Sequence, residues 1–140
     1  MPLQNLVSLY VSRQFGRFLL AGGLAAIANW LSRFVFNLFT SYAAAIAAAY
    51  AFGMAVAFVL NKRYVFPYSR RPVGAQMSFF VLFNVLAFPI VWVIAYALGE
   101  RLLSGLLPRQ LALALGHGLA VAVPGLVNFV LHKFITFRGT

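Results

Sequence analysis

The chain has 140 residues, of which 64% are hydrophobic and only 9% are charged, and its net charge is +10. Soluble domains carry roughly 45–50% apolar and about 25% charged residues, so this composition excludes a water-soluble globular fold of this size. The absence of cysteine excludes disulfide bonds and thiolate metal sites.

Four uncharged apolar segments predict four transmembrane helices. The segments between charged residues are 18–32, 34–61, 72–99 and 110–132. About 20 apolar residues in a helix cross a hydrocarbon core of roughly 30 Å. Because the apolar pattern resumes directly after Arg33, the first helix is placed at about 17–39 with Arg33 inside it. The others are placed at about 42–60, 76–98 and 110–131, which predicts an all-α integral membrane protein whose first helix is a permanent span rather than a cleaved signal peptide.

The positions of the basic residues predict the orientation of these helices. Arg101 and Arg109 share one loop with Glu100, the sole acidic residue. Eight others fall on the opposite side of the predicted membrane: Arg13, Arg17, Lys62, Arg63, Arg70, Arg71, Lys133 and Arg138. The positive-inside rule therefore predicts that both termini are cytoplasmic. Topology and attraction to anionic headgroups account for the net charge, and no nucleic-acid partner is predicted.

One short sequence occurs twice, as FVLNKRYVF at 58–66 and FVLHKFITF at 129–137, with five identities in nine positions. Each copy places a lysine, Lys62 or Lys133, where a predicted helix leaves the membrane and a short segment of alternating pattern begins. A weaker match aligns Phe18-Leu19-Leu20 of the first helix with Phe80-Val81-Leu82 of the third. The chain is therefore predicted to be a single domain of two parallel helix-hairpin repeats, at about 15–66 and about 76–137.

Small residues in the second predicted helix suggest a packing face. The residues are Ala43, Ala47, Ala51 and Ala55, at four-residue spacing. Small side chains at this spacing allow two membrane helices to approach closely.

The paired cationic clusters indicate a binding site for a lipid-linked phosphate. Lysine provides a compact point charge for phosphate and arginine adds bidentate hydrogen bonds. Lys62, Arg63 and Lys133 are the predicted phosphate-binding or lipid-binding residues, and Asn61, His132 and Arg17 are their expected neighbours. The alternative is that these side chains only extend to bulk headgroups.

A polar stripe in the first helix predicts part of a translocation path. Asn29, Arg33 and Asn37 follow at four-residue spacing and share one helix face. An arginine inside the membrane costs roughly 2.5–3.5 kcal/mol, and such residues tend to mark substrate paths. The alternative for Arg33 is extension to the outer headgroups. Asn84 in the third helix is placed on the same path, or else it joins neighbouring helices.

An enzymatic function is disfavoured by the residues available. General acid–base catalysis on a sugar needs a carboxylate or an equivalent group, and the chain has one glutamate. Its two histidines are far apart in sequence, which gives no metal-site spacing. No catalytic residue, cofactor or metal site is predicted.

The order of these features resembles the GtrA-like family over about residues 15–137. The similar features are FLLAGG in the first helix, Asn29 six positions after its second glycine, and the two copies FVLNKRYVF and FVLHKFITF. This chain departs from the family pattern at His132, where asparagine is usual, at Phe134, where arginine is common, and at Asn29, where aspartate is often found.

The resemblance implies a multi-pass protein of the bacterial inner membrane. Such a protein flips a polyprenyl-phosphate-linked sugar, such as undecaprenyl-phosphate hexose, from the cytoplasmic to the periplasmic leaflet, where the sugar modifies O-antigen or another surface polysaccharide. It acts beside a polyprenyl-phosphate glycosyltransferase. The alternative is a non-transporting subunit that anchors or assists that glycosyltransferase. A homodimer is expected, because four helices form a thin scaffold for passing a sugar phosphate.

Overall fold

Helices form almost all of the described chain. The computed structural model describes residues 3–139, apart from the side chains at positions 3, 6, 118 and 121. The α-helices are α1 Leu3–Tyr10, α2 Arg13–Phe36, α3 Tyr42–Leu60, α4 Val73–Tyr96 and α5 Arg109–Leu131. Single π-helical segments follow three of them, π1 Asn61–Val65, π2 Ala97–Leu102 and π3 His132–Thr136, and a 3-10 turn spans Leu103–Gly105. Since residues 3–139 contain no strand, the predicted all-α fold class is confirmed.

The four predicted membrane helices are confirmed. Among the described residues, four helical segments are long and apolar enough to cross a membrane: Arg13–Phe36, Tyr42–Val65, Val73–Gly105 and Arg109–Thr136. Helix α3 has its predicted bounds, and α5 begins one residue earlier than predicted. Helices α2 and α4 begin and end a few residues before their predicted positions, and Arg33 lies inside α2 as expected.

Serine caps and prolines mark where the four long helices begin. The side-chain oxygens of Ser12 and Ser41 accept the backbone N–H three residues further on, at 3.1 and 3.3 Å. Such caps satisfy N–H groups that have no partner within the helix. Pro72 and Pro108 precede α4 and α5 in an extended conformation, where the missing N–H of proline costs nothing. Helix α2 thus begins at Arg13, in polar sequence that hydropathy alone places outside the membrane.

The segments predicted with an alternating pattern are π turns instead. The N–H of Phe66 donates to the carbonyl of Asn61 at 2.7 Å, and Phe137 donates to His132 at 2.8 Å. A hydrogen bond over five residues defines the π-helix, which is commonly found at functional sites. The alternation in Tyr64 and its neighbours therefore reflects a wide helical turn. Helix α1 was also not predicted, because eight residues are marginal for an isolated helix.

The chain divides into two compact units, and each contains one of the predicted hairpins. The first unit extends to Arg70 and includes Gly139, and the second spans Arg71–Arg138. In the first unit α2 packs along α3, and in the second α4 packs along α5. The parallel orientation of the repeats and the cytoplasmic position of the termini stay predictions.

The small residues predicted as a packing face of α3 do not pack within the chain. Ala43, Ala47, Ala51 and Ala55 are all exposed. The buried small residues are Ala45, Ala49 and Gly53 in α3, and Ala112, Gly116 and Ala120 in α5. Helix α3 is apolar on every side, so no polar residue in its sequence marks which alanine stripe faces α2.

The outer surfaces of the helices are apolar. The most apolar stretch of each candidate span is only 6% to 25% buried within the chain. Large side chains such as Leu20 and Leu86 are more than half exposed. A membrane removes this surface from water, in agreement with the predicted multi-pass protein.

Candidate functional site

The two copies of the repeated sequence form the same local structure. Each follows the end of an α-helix, forms one π turn, and closes with a phenylalanine that donates its N–H to the first residue of the turn. The positions that are at most 2% exposed also correspond: Asn61, Val65 and Phe66 in π1, and His132, Thr136 and Phe137 in π3. The lysine of each turn, Lys62 or Lys133, is half-buried. The repeated sequence thus forms a π turn at the end of a membrane helix in both copies.

The interiors of the two turns differ in their hydrogen bonds. In π3, His132 Nδ1 and Thr136 Oγ1 are 3.0 Å apart, and the His132 ring stacks on Phe80 with 4.6 Å between centroids. In π1, Asn61 donates its Nδ2–H to the Ala57 carbonyl at 2.7 Å. Its buried Oδ1 has no hydrogen-bond partner among the described residues. The asparagine and the histidine at this position therefore have different roles.

The first unit contains a groove with a volume of about 580 Å³, where α2 begins and α3 ends. Two of the predicted phosphate-site residues, Arg17 and Arg63, line this groove, and both are exposed. Its other walls are Leu20, Ala21, Leu24, Leu60, Tyr64 and Pro67. The structure therefore brings together two guanidinium groups and an apolar surface.

Gln14 is a residue at this site that the sequence analysis missed. Its Nε2–H donates to the carbonyl of Val65 at 2.9 Å, which ties the start of α2 to π1. This bond fixes the turn that carries Arg63 relative to the helix that carries Arg17. A signal existed in the sequence: the weak match of Phe18 with Phe80 also aligns Gln14 with Gln76.

The two lysines do not line the first-unit groove. Lys62 precedes Arg63 in π1 and is half-buried. Lys133 belongs to the second unit, where its Nζ lies 5.8 Å from the centroid of the Phe129 ring. Their predicted contact with phosphate stays a prediction.

The path residues of α2 have different surroundings. Asn29 lies at a close contact between α2 and α3: a Cβ added to Gly53 would be 2.6 Å from the Asn29 Cβ. Arg33 is half-buried in the last turn of α2, and its guanidinium carbon lies 4.2 Å from the Phe34 centroid and 5.4 Å from that of Tyr42. A cation there also interacts favourably with the helix dipole. Asn37 follows the helix and is exposed.

Asn84 is engaged with its own helix. Its Nδ2–H donates to the Phe80 carbonyl at 2.8 Å, and its side chain is half-buried in the second unit. Within the described part of the chain, Asn84 thus forms no hydrogen bond with a neighbouring helix.

A second groove, of about 310 Å³, lies between α4 and α5. Its walls include Phe83, Leu86, Ala87, Ile90, Val123 and Pro124. Of the residues that the structure describes, Asn128 is the only polar side chain that lines it. Hydrocarbon is the chemistry that fits these walls.

Glu100 is the only acidic residue of the chain, and it forms an ion pair at 3.2 Å with Arg109. An exposed pair of this kind contributes at most about 1 kcal/mol. Within the part of the chain that the structure describes, no group of three or more His, Cys, Asp and Glu side chains could hold a metal ion.

The family that matches this chain is the GtrA/DPMS transmembrane domain, over residues 17–137. No curated protein and no solved structure matches the chain. The match begins at Arg17 and ends at Phe137. It therefore includes both arginines of the first groove and the two turns of the repeated sequence, π1 and π3. Since it spans most of the 140 residues, the chain belongs to the GtrA/DPMS transmembrane-domain family of membrane proteins, which is associated with polyprenyl-phosphate sugar pathways.

Proposed function

We propose that the protein flips a polyprenyl-phosphate-linked sugar from the cytoplasmic to the periplasmic leaflet of the bacterial inner membrane. The observation that carries this proposal is the first-unit groove, in which Arg17 and Arg63 share walls with leucine side chains. A polyprenyl-phosphate sugar has the complementary chemistry, because an anionic phosphate joins a hydrocarbon chain to a sugar.

The chemistry of the groove supports this ligand. Arginine stays charged at neutral pH and forms bidentate hydrogen bonds with phosphate oxygens. The apolar wall formed by Leu20, Leu24 and Leu60 offers contact to the first isoprene units. A volume of about 580 Å³ lies in the range of roughly 300–1,000 Å³ that small-molecule sites occupy.

The remaining predicted residues take supporting roles in this proposal. Lys62 and Lys133 draw the anionic lipid to the cytoplasmic surface, and Asn29, Arg33, Asn37 and Asn84 accompany the headgroup across. The protein acts without catalysis, beside a glycosyltransferase that loads the lipid and as a homodimer. The exported sugar modifies O-antigen or another surface polysaccharide.

The test is transfer of a polyprenyl-phosphate hexose between leaflets of proteoliposomes. We expect transfer by the wild type and at least a tenfold loss in the double variant Arg17→Gln, Arg63→Gln. The matched control is Arg13→Gln, Arg70→Gln, which removes two exposed charges from the same unit but leaves the groove walls intact. Equal loss in both double variants would show a general charge effect and would contradict the proposed site.

One observation favours the alternative, a subunit that anchors or assists the glycosyltransferase without transport. The close contact of Asn29 with Gly53 leaves no space for a headgroup between α2 and α3 at that level. Transport then requires another route past Asn29. Wild-type protein that binds the lipid in the groove but transfers none would establish this alternative.

A further inference from the structure

We propose that the duplicated groove is divided in function: the first-unit groove binds a phosphate-bearing lipid headgroup, and the second-unit groove binds hydrocarbon only. Each chain then has one phosphate site, although its basic motif occurs twice. This inference rests on the proposed function for the identity of the lipid.

Both grooves are built at corresponding positions of the two repeats. A shift of 62 residues relates α2 to α4, as set by Phe18 and Phe80, and a shift of 71 relates the two π-turn motifs. With these shifts three lining residues of one groove match three of the other: Ala21 with Phe83, Leu24 with Leu86, and Leu60 with Leu131. The two grooves thus share part of their position in the repeat.

The second groove has no charged residue among the described residues of its walls. The same shifts place Phe79 at the position of Arg17, and Phe134 at the position of Arg63. Both guanidinium groups of the first groove are thus replaced by phenyl rings. The nearby cation of the second unit, Arg71, lies 4.8 Å from the centroid of the Phe79 ring, and it does not line the second groove.

The second groove also lies further along its helices. It reaches Ile90 of α4 and Val123 and Pro124 of α5, which lie far inside the candidate membrane spans. A phosphate placed there would lose its hydration without gaining a cation, which is strongly unfavourable. A hydrocarbon chain of a lipid has no hydration to lose on entering this groove, and the surrounding membrane supplies such chains. The lipid chain is therefore the occupant that these walls select.

Lys133 does not restore a phosphate site in the second unit. Its Nζ lies against the face of Phe129, and its side chain is not part of the groove wall. It contributes attraction over the Debye length of about 8–10 Å, which salt weakens. The two lysines of the repeat are thus equivalent in position, and neither lines either groove.

The test counts phosphate sites by equilibrium binding to protein in uncharged nanodiscs. The probes are a polyprenyl monophosphate, the uncharged polyprenol of the same chain length, and inorganic phosphate. We expect one polyprenyl monophosphate per chain whose binding is lost at high salt, and polyprenol binding that salt leaves unchanged. Inorganic phosphate at the same concentration should displace neither, because the headgroup site also uses hydrocarbon contact.

Substitutions assign each site to its unit. Arg17→Gln, Arg63→Gln should weaken the salt-sensitive site at least tenfold, whereas Ala87→Trp should fill the second groove and weaken polyprenol binding by a similar factor. Ala114→Trp, at an exposed position of α5 outside the groove, is the control. Phe79→Arg, Phe134→Arg should create a second salt-sensitive site. If that variant does not fold, the loss variants still carry the test.

The outcomes separate this inference from the proposed function. Two salt-sensitive sites in the wild type, or one that needs Lys133 but neither Arg17 nor Arg63, would overturn the division while a phosphate lipid still bound. No salt-sensitive binding at all would overturn the proposed function together with it.

Discussion

Gly53 of α3 lies so close to Asn29 of α2 that a methyl group on the glycine would be 2.6 Å from the Asn29 Cβ and 3.2 Å from the Ala25 carbonyl oxygen. The first distance is shorter than real contacts allow, and the nearest atoms belong to a rigid helix. Gly53→Ala should therefore force the helices apart and lower the free energy of unfolding by about 1–3 kcal/mol. Thermal unfolding in detergent measures this change.

The control for that prediction is Gly23→Ala. A Cβ added at Gly23 meets nothing within 4 Å, and alanine favours the helix over glycine by up to about 1 kcal/mol. This variant should be as stable as the wild type or slightly more stable. An equal loss in both variants would mean that the close helix contact is not the cause.

The buried pair in π3 should contribute to stability. Thr136→Val removes the hydroxyl 3.0 Å from His132 Nδ1 and leaves the shape of the side chain almost unchanged. Loss of one partner of a buried hydrogen bond costs about 1–3 kcal/mol. Thr40→Val is the matched control, since the Thr40 hydroxyl is exposed and bonds only to nearby backbone. Equal melting temperatures for both variants would contradict a role for the buried pair.

The first turn should accept the pair that the second turn uses. Asn61→His alone places an imidazole at the position equivalent to His132. The side chain of Val65, at the position of Thr136, has no polar group to bond with it. The double variant Asn61→His, Val65→Thr should be more stable than the single variant by about 1 kcal/mol. It creates in π1 the hydrogen bond that His132 and Thr136 form in π3. Chemical unfolding of both variants in detergent tests this coupling. A double variant no more stable than the single one would show that the two turns differ beyond these side chains.

Gln14 should affect lipid binding through the position of π1. Gln14→Ala removes the donor to the Val65 carbonyl at 2.9 Å. We expect roughly a fivefold weaker binding of polyprenyl monophosphate, equal to about 1 kcal/mol, because Arg63 is no longer held beside Arg17. The exposed Gln4→Ala is the control. Unchanged affinity in Gln14→Ala would show that π1 is held by its buried residues alone.

Arg33 distinguishes transport from binding. If it receives the headgroup on the outer side, Arg33→Ala should lower transfer at least tenfold in proteoliposomes and leave binding in the first-unit groove unchanged. Arg33→Lys should keep much of the transfer, because a lysine retains the cation beside Phe34 and Tyr42. Full transfer by Arg33→Ala would remove this residue from the proposed path.

The features that follow from hydropathy and charge were predictable from the sequence. The bounds of α3 and the place of Arg33 inside α2 follow from where apolar residues begin and end. The repeated motif also marked both π turns, but its alternating letters did not reveal a five-residue hydrogen bond. The residues that donate these bonds, Phe66 and Phe137, are fully buried by tertiary packing. A local sequence pattern does not specify such packing.

The candidate site was predictable only in part. The motif drew attention to Arg63 and to its expected neighbour Arg17, and the structure places both on one groove. The match between the lysines suggested two equivalent clusters. However, Arg17 and Arg63 line the first groove, and no described cation lines the second. Gln14 was missed because the alignment of α2 with α4 is weak, and its partner is a backbone carbonyl that the sequence does not identify.

The phenylalanines that close the π turns have a consequence for bilayers of different thickness. Phe66 and Phe137 are fully buried, so the turns that carry the basic residues are fixed to the helix ends by packing within the protein. A hydrophobic mismatch between helix and bilayer is then not relieved by unwinding these ends. It must be relieved by helix tilt or by local deformation of the lipid, at a cost of fractions of a kcal/mol per Å. The basic residues thus set the depth of the surrounding headgroups, rather than the reverse.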